Sequence, residues 1–173
     1  MSRLLNLVAF TALALFGLMP AQAQQQWIDY RPAGSGYSIA FPGTPAASET
    51  DAATAVGQVH SSIATLDQGG KTFLVMRTVY PQAVGGASTR KVFNSARDGL
   101  VGKGTLRETK DLSINNLPAR RLVIDKPDTG RVMIVLQAMS GTWLYQAICL
   151  VRPGEETSPD VERFLGSFAL VPR

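Results

Sequence analysis

Short turn signals punctuate this chain from Gly57 onward so closely that most of it can only be strand and hairpin. Gln68-Gly69-Gly70-Lys71 separates two runs of strand-like residues, Gly57 to Asp67 and Thr72 to Tyr80. Its paired glycines reach the positive φ values that tight hairpin turns demand. Asn115-Asn116-Leu117-Pro118, Pro127-Asp128-Thr129-Gly130 and Ser140-Gly141 repeat the device, and divide Thr105 to Leu150 into four short segments. Thr105–Ile114 carries polar residues on both faces and reads as a wet edge strand. Ala119–Lys126, Arg131–Met139 and Thr142–Leu150 read as an antiparallel meander. Phe73-Leu74-Val75-Met76 is a continuous apolar run, so its strand is expected to be central and covered on both faces.

Upstream, Tyr37–Phe41 alternates and is stopped by Pro42-Gly43-Thr44-Pro45. Ala46 to Val56 is small and polar and reads as an irregular connection. Two segments change period. Thr89–Val101 places Val92, Phe93, Ala96 and Leu100 on one side, with Ser88 or Thr89 as N-cap and Gly102 and Gly104 as the stop. Ser158–Ser167 has Pro159 at its first position, and Val161, Phe164, Leu165 and Phe168 form a core-facing stripe. The expected fold class is α+β: a central antiparallel β-sheet of six or seven strands flanked by two main helices, in one domain spanning 37–173.

The first residues have a different purpose. Arg3 precedes an apolar run from Leu4 to Met19, then Pro20, then the small-x-small triplet Ala21-Gln22-Ala23. This is the pattern of a secretory signal peptide over 1–23, cleaved after Ala23, with a lead-in over 24–36. No cysteine stands near the cleavage site to carry a lipid anchor, and no spanning segment is expected after cleavage. The expected location is periplasmic or secreted. Cleavage leaves roughly 150 residues, enough for one domain that buries about 68–70% of its unfolded surface.

The order of elements, and three short motifs, resemble the PsbP-like fold, which DcrB-type bacterial lipoproteins and a eukaryotic Ran-binding import factor share. Gly36-Tyr37-Ser38-Ile39-Ala40-Phe41-Pro42-Gly43-Thr44-Pro45 looks like the family's opening strand and its proline stop. Trp143-Leu144-Tyr145 looks like the late strand after a glycine turn. Phe164-Leu165-Gly166-Ser167-Phe168 looks like the closing helix. The resemblance implies a binding or accessory role rather than catalysis. It carries over no catalytic residue, and the missing lipid-bearing cysteine sets this chain apart from the lipoproteins.

The residues themselves leave little for catalysis. The chain has one histidine and one cysteine, too few for the usual multi-Cys/His zinc sites. On its strand, His60 shares the side of Gln58 and Ser62 and is expected to face solvent. Cys149 shares a side with Trp143, Tyr145 and Ala147, and is expected to pack as a small hydrophobe. There is no phosphate-binding loop or nucleophile elbow, and Gly99–Gly104 follows a helix instead of opening one. Asp125 and Asp128 flank a proline turn and Glu155-Glu156 sits in a loop. The pairs Arg90-Lys91 and Arg120-Arg121 are too short for a polybasic tract, so nucleic acid is not expected. No cofactor or metal is expected either.

These readings converge on an exported, non-enzymatic accessory module that binds a protein partner or an envelope component, with Trp27, Tyr30 and Tyr37 as a candidate aromatic patch. Two alternatives stand beside it. One is a carrier of small apolar ligands between sheet and helix; the other is a small hydrolase that uses His60.

Overall fold

The computed structural model describes residues 26–54, 57–81 and 89–172. The leader, its cleavage site and the N-cap candidate Ser88 lie outside the described residues. The chain runs β1 (Ile28–Tyr30), β2 (Tyr37–Phe41), β3 (Ala46–Thr54), β4 (Gly57–Gln68), β5 (Lys71–Val79), α1 (Thr89–Val101), β6 (Thr105–Ile114), β7 (Leu117–Lys126), β8 (Arg131–Ser140), β9 (Trp143–Val151), α2 (Pro159–Gly166) and β10 (Ala169–Leu170).

A seven-stranded antiparallel sheet, ordered β3-β4-β5-β9-β8-β7-β6, forms the middle layer. It joins two hairpin-built ribbons. β5 ends the first, α1 carries the chain to the far edge, and the second returns until β9 pairs with β5. Asn115 and Asn116 make the β6–β7 turn with φ of 50° and 64°, values that asparagine tolerates better than most residues. The Asn115 amide also donates to the Leu170 carbonyl at 2.8 Å.

Each face of this sheet has its own cover. On one lie α2 and a second, three-stranded sheet ordered β1-β2-β10. Ile39 and Phe41 of β2, Val161 and Phe164 of α2, and Val75, Ile134, Ala147 and Cys149 of the large sheet are all fully buried there. Aromatic contacts tie the layers: Phe164 lies 5.1 Å from Phe41 and 5.2 Å from Phe73, centroid to centroid. Burying rings of this size contributes about 1.5–3 kcal/mol each. Ser167 fixes the end of α2, because its Oγ donates to the Phe164 carbonyl at 2.7 Å and accepts from the Ala40 amide at 2.8 Å. The opposite face is covered by α1. Val92 and Phe93 pack on Met139 and Leu144, while Leu100 and Val101 reach the cluster of Leu122, Ile124, Val135 and Ile148. Gly102 ends α1 with φ +50°, its N–H on the Asp98 carbonyl at 3.1 Å.

Four expectations need correction. Ala46 to Thr54 is not an irregular connection but an edge strand, paired with β4 along its whole length. From Ala46 to Ala53 its side chains face water on both sides, so the backbone ladder holds it without a hydrophobic pattern. The central sheet has seven strands, within the expected number, but β1, β2 and β10 form a second sheet that the expectation did not include. The strand of Phe73–Met76 is covered unevenly on its two faces: Phe73 and Val75 are sealed, while Leu74 and Met76 are only partly buried. Ser158 occupies the N-cap of α2, but its hydroxyl makes no capping bond.

Candidate functional site

The lead-in determines where the fold leaves space. After β1, Pro32 to Gly36 loops back, with the Ser35 amide on the Pro32 carbonyl at 3.2 Å and Gly34 and Gly36 at φ +66° and +73°. Only glycine adopts those values readily. The loop stands over one end of the large sheet and leaves a cleft of about 530 Å³ between itself and β3, β4 and β5. That volume falls within the range of small-molecule sites.

Cross-strand register sets the lining of this cleft. Glu49 of β3 is opposite Ser62 of β4, Ser62 is opposite Arg77 of β5, and Arg77 is opposite Tyr145 of β9. Directly paired residues project to the same side of a sheet, so these four stand in one row. Arg77 is half-buried. Its Nη1 donates to the Gly34 carbonyl at 3.3 Å, its Nη2 donates to Ser62 Oγ at 2.9 Å, and its guanidinium carbon lies 4.9 Å from the centre of the Trp143 ring. Its Nε is buried and has no acceptor. Among the described residues, no carboxylate lies within 4.0 Å of it. The cation is thus held by neutral acceptors and an aromatic face, which leaves its charge uncompensated.

Tyrosines surround it. Tyr37 is buried, and burial drives its phenol well above the ordinary range; nearby Tyr30 and Tyr145 push it the same way, and Arg77 opposes them. Tyr30 is also raised by burial. Tyr145 donates to the Ser35 carbonyl at 3.2 Å and so ties the loop to the sheet.

The three rings singled out from sequence do not share one surface. Tyr30 and Tyr37 line the cleft. Trp27 packs edge-on to Phe73 at 6.4 Å, under the guanidinium of Arg163 at 4.5 Å. Tyr30 packs on Phe41 and Tyr37 on Tyr145, so much of this aromatic area closes the end of the core. Arg77 escaped the sequence reading. Its signal was a charge two residues beyond Val75, on the buried side of an apolar strand.

His60 is partly exposed, and its Nδ1 lies 2.9 Å from Asp51 across the β3–β4 pair, with Glu49 4.0 Å from Nε2. The ring has an acidic partner that the sequence did not reveal. Cys149 is fully buried; burial, then the charge of Glu162, push its thiol far up, against a smaller opposing effect of Lys71. A thiol so placed is not a nucleophile near neutral pH. Asp125 and Glu156, distant in sequence, both meet Arg107, at 3.1 and 2.8 Å, as an ion bridge. The two basic pairs are split: Arg120 is buried against Asp111 and Asn94 while Arg121 meets Glu108. No group of three or more metal-ligating side chains converges among the described residues, and no helix among them is long and apolar enough to cross a membrane.

No protein-family model and no curated protein matches the chain. Solved structures do. Cyanobacterial PsbP (CyanoP) from Synechocystis sp. PCC 6803 matches with a TM-score of 0.52 at 12% identity, over 90% of this chain and 98% of that one. PA94, a protein of unknown function from Pseudomonas aeruginosa, aligns with a TM-score of 0.42 at 13% identity, over 85% and 97% of the two chains. At such identity the likeness to CyanoP speaks for architecture alone, and on that ground the chain has the PsbP-like fold.

Proposed function

We propose that this chain is an exported, non-enzymatic binding module, cleaved after Ala23, whose cleft at Arg77 receives an anionic group of a protein partner or envelope component. The observation that carries the reading is the Arg77 guanidinium: half-buried, stacked on Trp143, bonded only to neutral acceptors, with one buried N–H unused. A positive charge placed this way stabilises an incoming carboxylate more than an exposed cation would, because surrounding water screens it less. The serine hydroxyls and charged groups of the lining favour a polar ligand over an apolar cargo. The chain's single thiol is sealed in the core, which speaks for binding rather than covalent chemistry.

In-cell photocrosslinking tests this reading. A photoreactive residue at the exposed wall position Ala47 should trap a reproducible envelope partner. Arg77→Gln should reduce that product at least fivefold, with secretion and unfolding midpoint retained. Undiminished crosslinking by Arg77→Gln, or none by the parent, would sink the proposal.

A further inference from the structure

Resting on the reading of the Arg77 cleft as the binding site, we infer that its ligand is a small zwitterion, with a carboxylate and an ammonium group a few ångströms apart, as in a free amino acid or a short peptide. The inference comes from the opposite wall. Glu49 lines the same cleft and stands in the same cross-strand row as Arg77, with Ser62 between them. Two strand spacings separate their backbones, roughly 10 Å. Both side chains are long enough to meet across that gap, yet they form no ion pair. Arg77 is instead turned to Ser62, Gly34 and Trp143. Glu49 has the edge of the His60 ring at 4.0 Å and is otherwise largely exposed.

The cleft thus presents one positive and one negative wall that do not neutralise each other. A ligand with only negative charge meets repulsion from Glu49, and one with only positive charge meets it from Arg77. A ligand with both satisfies both walls, its carboxylate on the Nη hydrogens of Arg77 that Gly34 and Ser62 do not use and its ammonium toward Glu49. Ser62 and Tyr30 add hydroxyls beside this path. The cleft has room for such a molecule with water to spare.

Calorimetric titration of the purified protein tests the inference with L-alanine, L-alanyl-L-alanine, the dipeptide's N-acetyl and C-amide derivatives, and succinate. The free dipeptide or the free amino acid binds, and the tighter of the two identifies the source. C-amidation weakens dipeptide binding about tenfold or more, since a charged hydrogen bond at a half-buried guanidinium is lost. N-acetylation weakens it about threefold, because Glu49 is exposed. In Glu49→Gln the acetylation effect vanishes and the amidation effect remains. In Arg77→Gln the amidation effect vanishes. Equal binding of free and blocked dipeptides, or succinate binding as tightly as either zwitterion, overturns the inference. So does the absence of binding by any probe while Arg77-dependent crosslinking persists, and in that case the proposed site survives without its zwitterion.

Discussion

The thiol of Cys149 lies fully buried on the strand shared by Tyr145 and Ala147, and the same burial that removes its reactivity gives it a pH signature. The folded protein holds the thiol well above its ordinary pKa. Unfolding releases it to titrate near pH 8.5. Above that pH the unfolded chain binds fewer protons than the folded one, so stability falls as pH rises and is fully present below it. The slope approaches about 1.4 kcal/mol per pH unit until tyrosines join near pH 10, Tyr37 among them. Urea unfolding between pH 8 and pH 9.8 should show this decline, and Cys149→Ala should flatten it while lowering stability at neutral pH through the cavity it leaves. Identical slopes for parent and variant would mean that the thiol is not protected as the packing implies. Arg77 is the contrasting residue: a charge that packing has oriented but not neutralised, and therefore a side chain with binding capacity to spare.

At the scale of elements, the hairpins were legible because their turns announce themselves. Thr105–Ile114 and Thr89–Val101 fall where alternation, helical period and glycine stops put them. β3 was not legible. Ala46-Ala47-Ser48-Glu49-Thr50-Asp51 faces water on both sides, so no period of two marks it, and only its ladder to β4 makes it a strand. β1 and β10, three and two residues long, are too short for any pattern. The cleft was hidden for a related reason. Glu49, Ser62 and Arg77 meet only through the registers of two hairpins, and a slip of one residue would turn them to opposite faces. The junction of α1 and β6 held a second constraint invisible in sequence. Gly102 and Gly104 both read as helix stops, but only Gly102 needs positive φ. At Gly104 a Cβ would run into the Asp125 carbonyl oxygen, with the Val101 carbonyl at 3.0 Å and Ile124 at 3.2 Å. Both carbonyls are backbone and cannot yield cheaply. Gly104→Ala should therefore cost about 1–3 kcal/mol in urea unfolding, the range for an overpacked site. Gly99→Ala, with open space around its Cβ and within the helix, should be neutral or mildly stabilising. Equal effects at the two positions would refute the crowding argument.

The whole molecule sets one further condition. If export removes the leader, the remaining chain must fold without it, and the lead-in must then hold its place by its own contacts. Trp27 packs against Phe73 and Arg163, Tyr30 against Phe41, and Ile28–Tyr30 pairs with Tyr37–Phe41 as an outer strand of the smaller sheet. The lead-in is thus part of the domain that forms the cleft. A chain starting at Gln24 should unfold at the same urea midpoint as the secreted protein. A chain starting at Gly34 loses β1, two aromatic contacts and one wall of the cleft. With two partly buried aromatic side chains contributing about 1.5–3 kcal/mol each at full burial, its loss should reach several kcal/mol, and ligand binding should fail with it. The comparison also tests the boundary between leader and domain. A loss of stability on removing only residues 1–23 would mean that the leader belongs to the folded unit and that cleavage after Ala23 is wrong, whereas a Gly34 start as stable as Gln24 would leave the loop over Arg77 without the anchor the structure assigns to it.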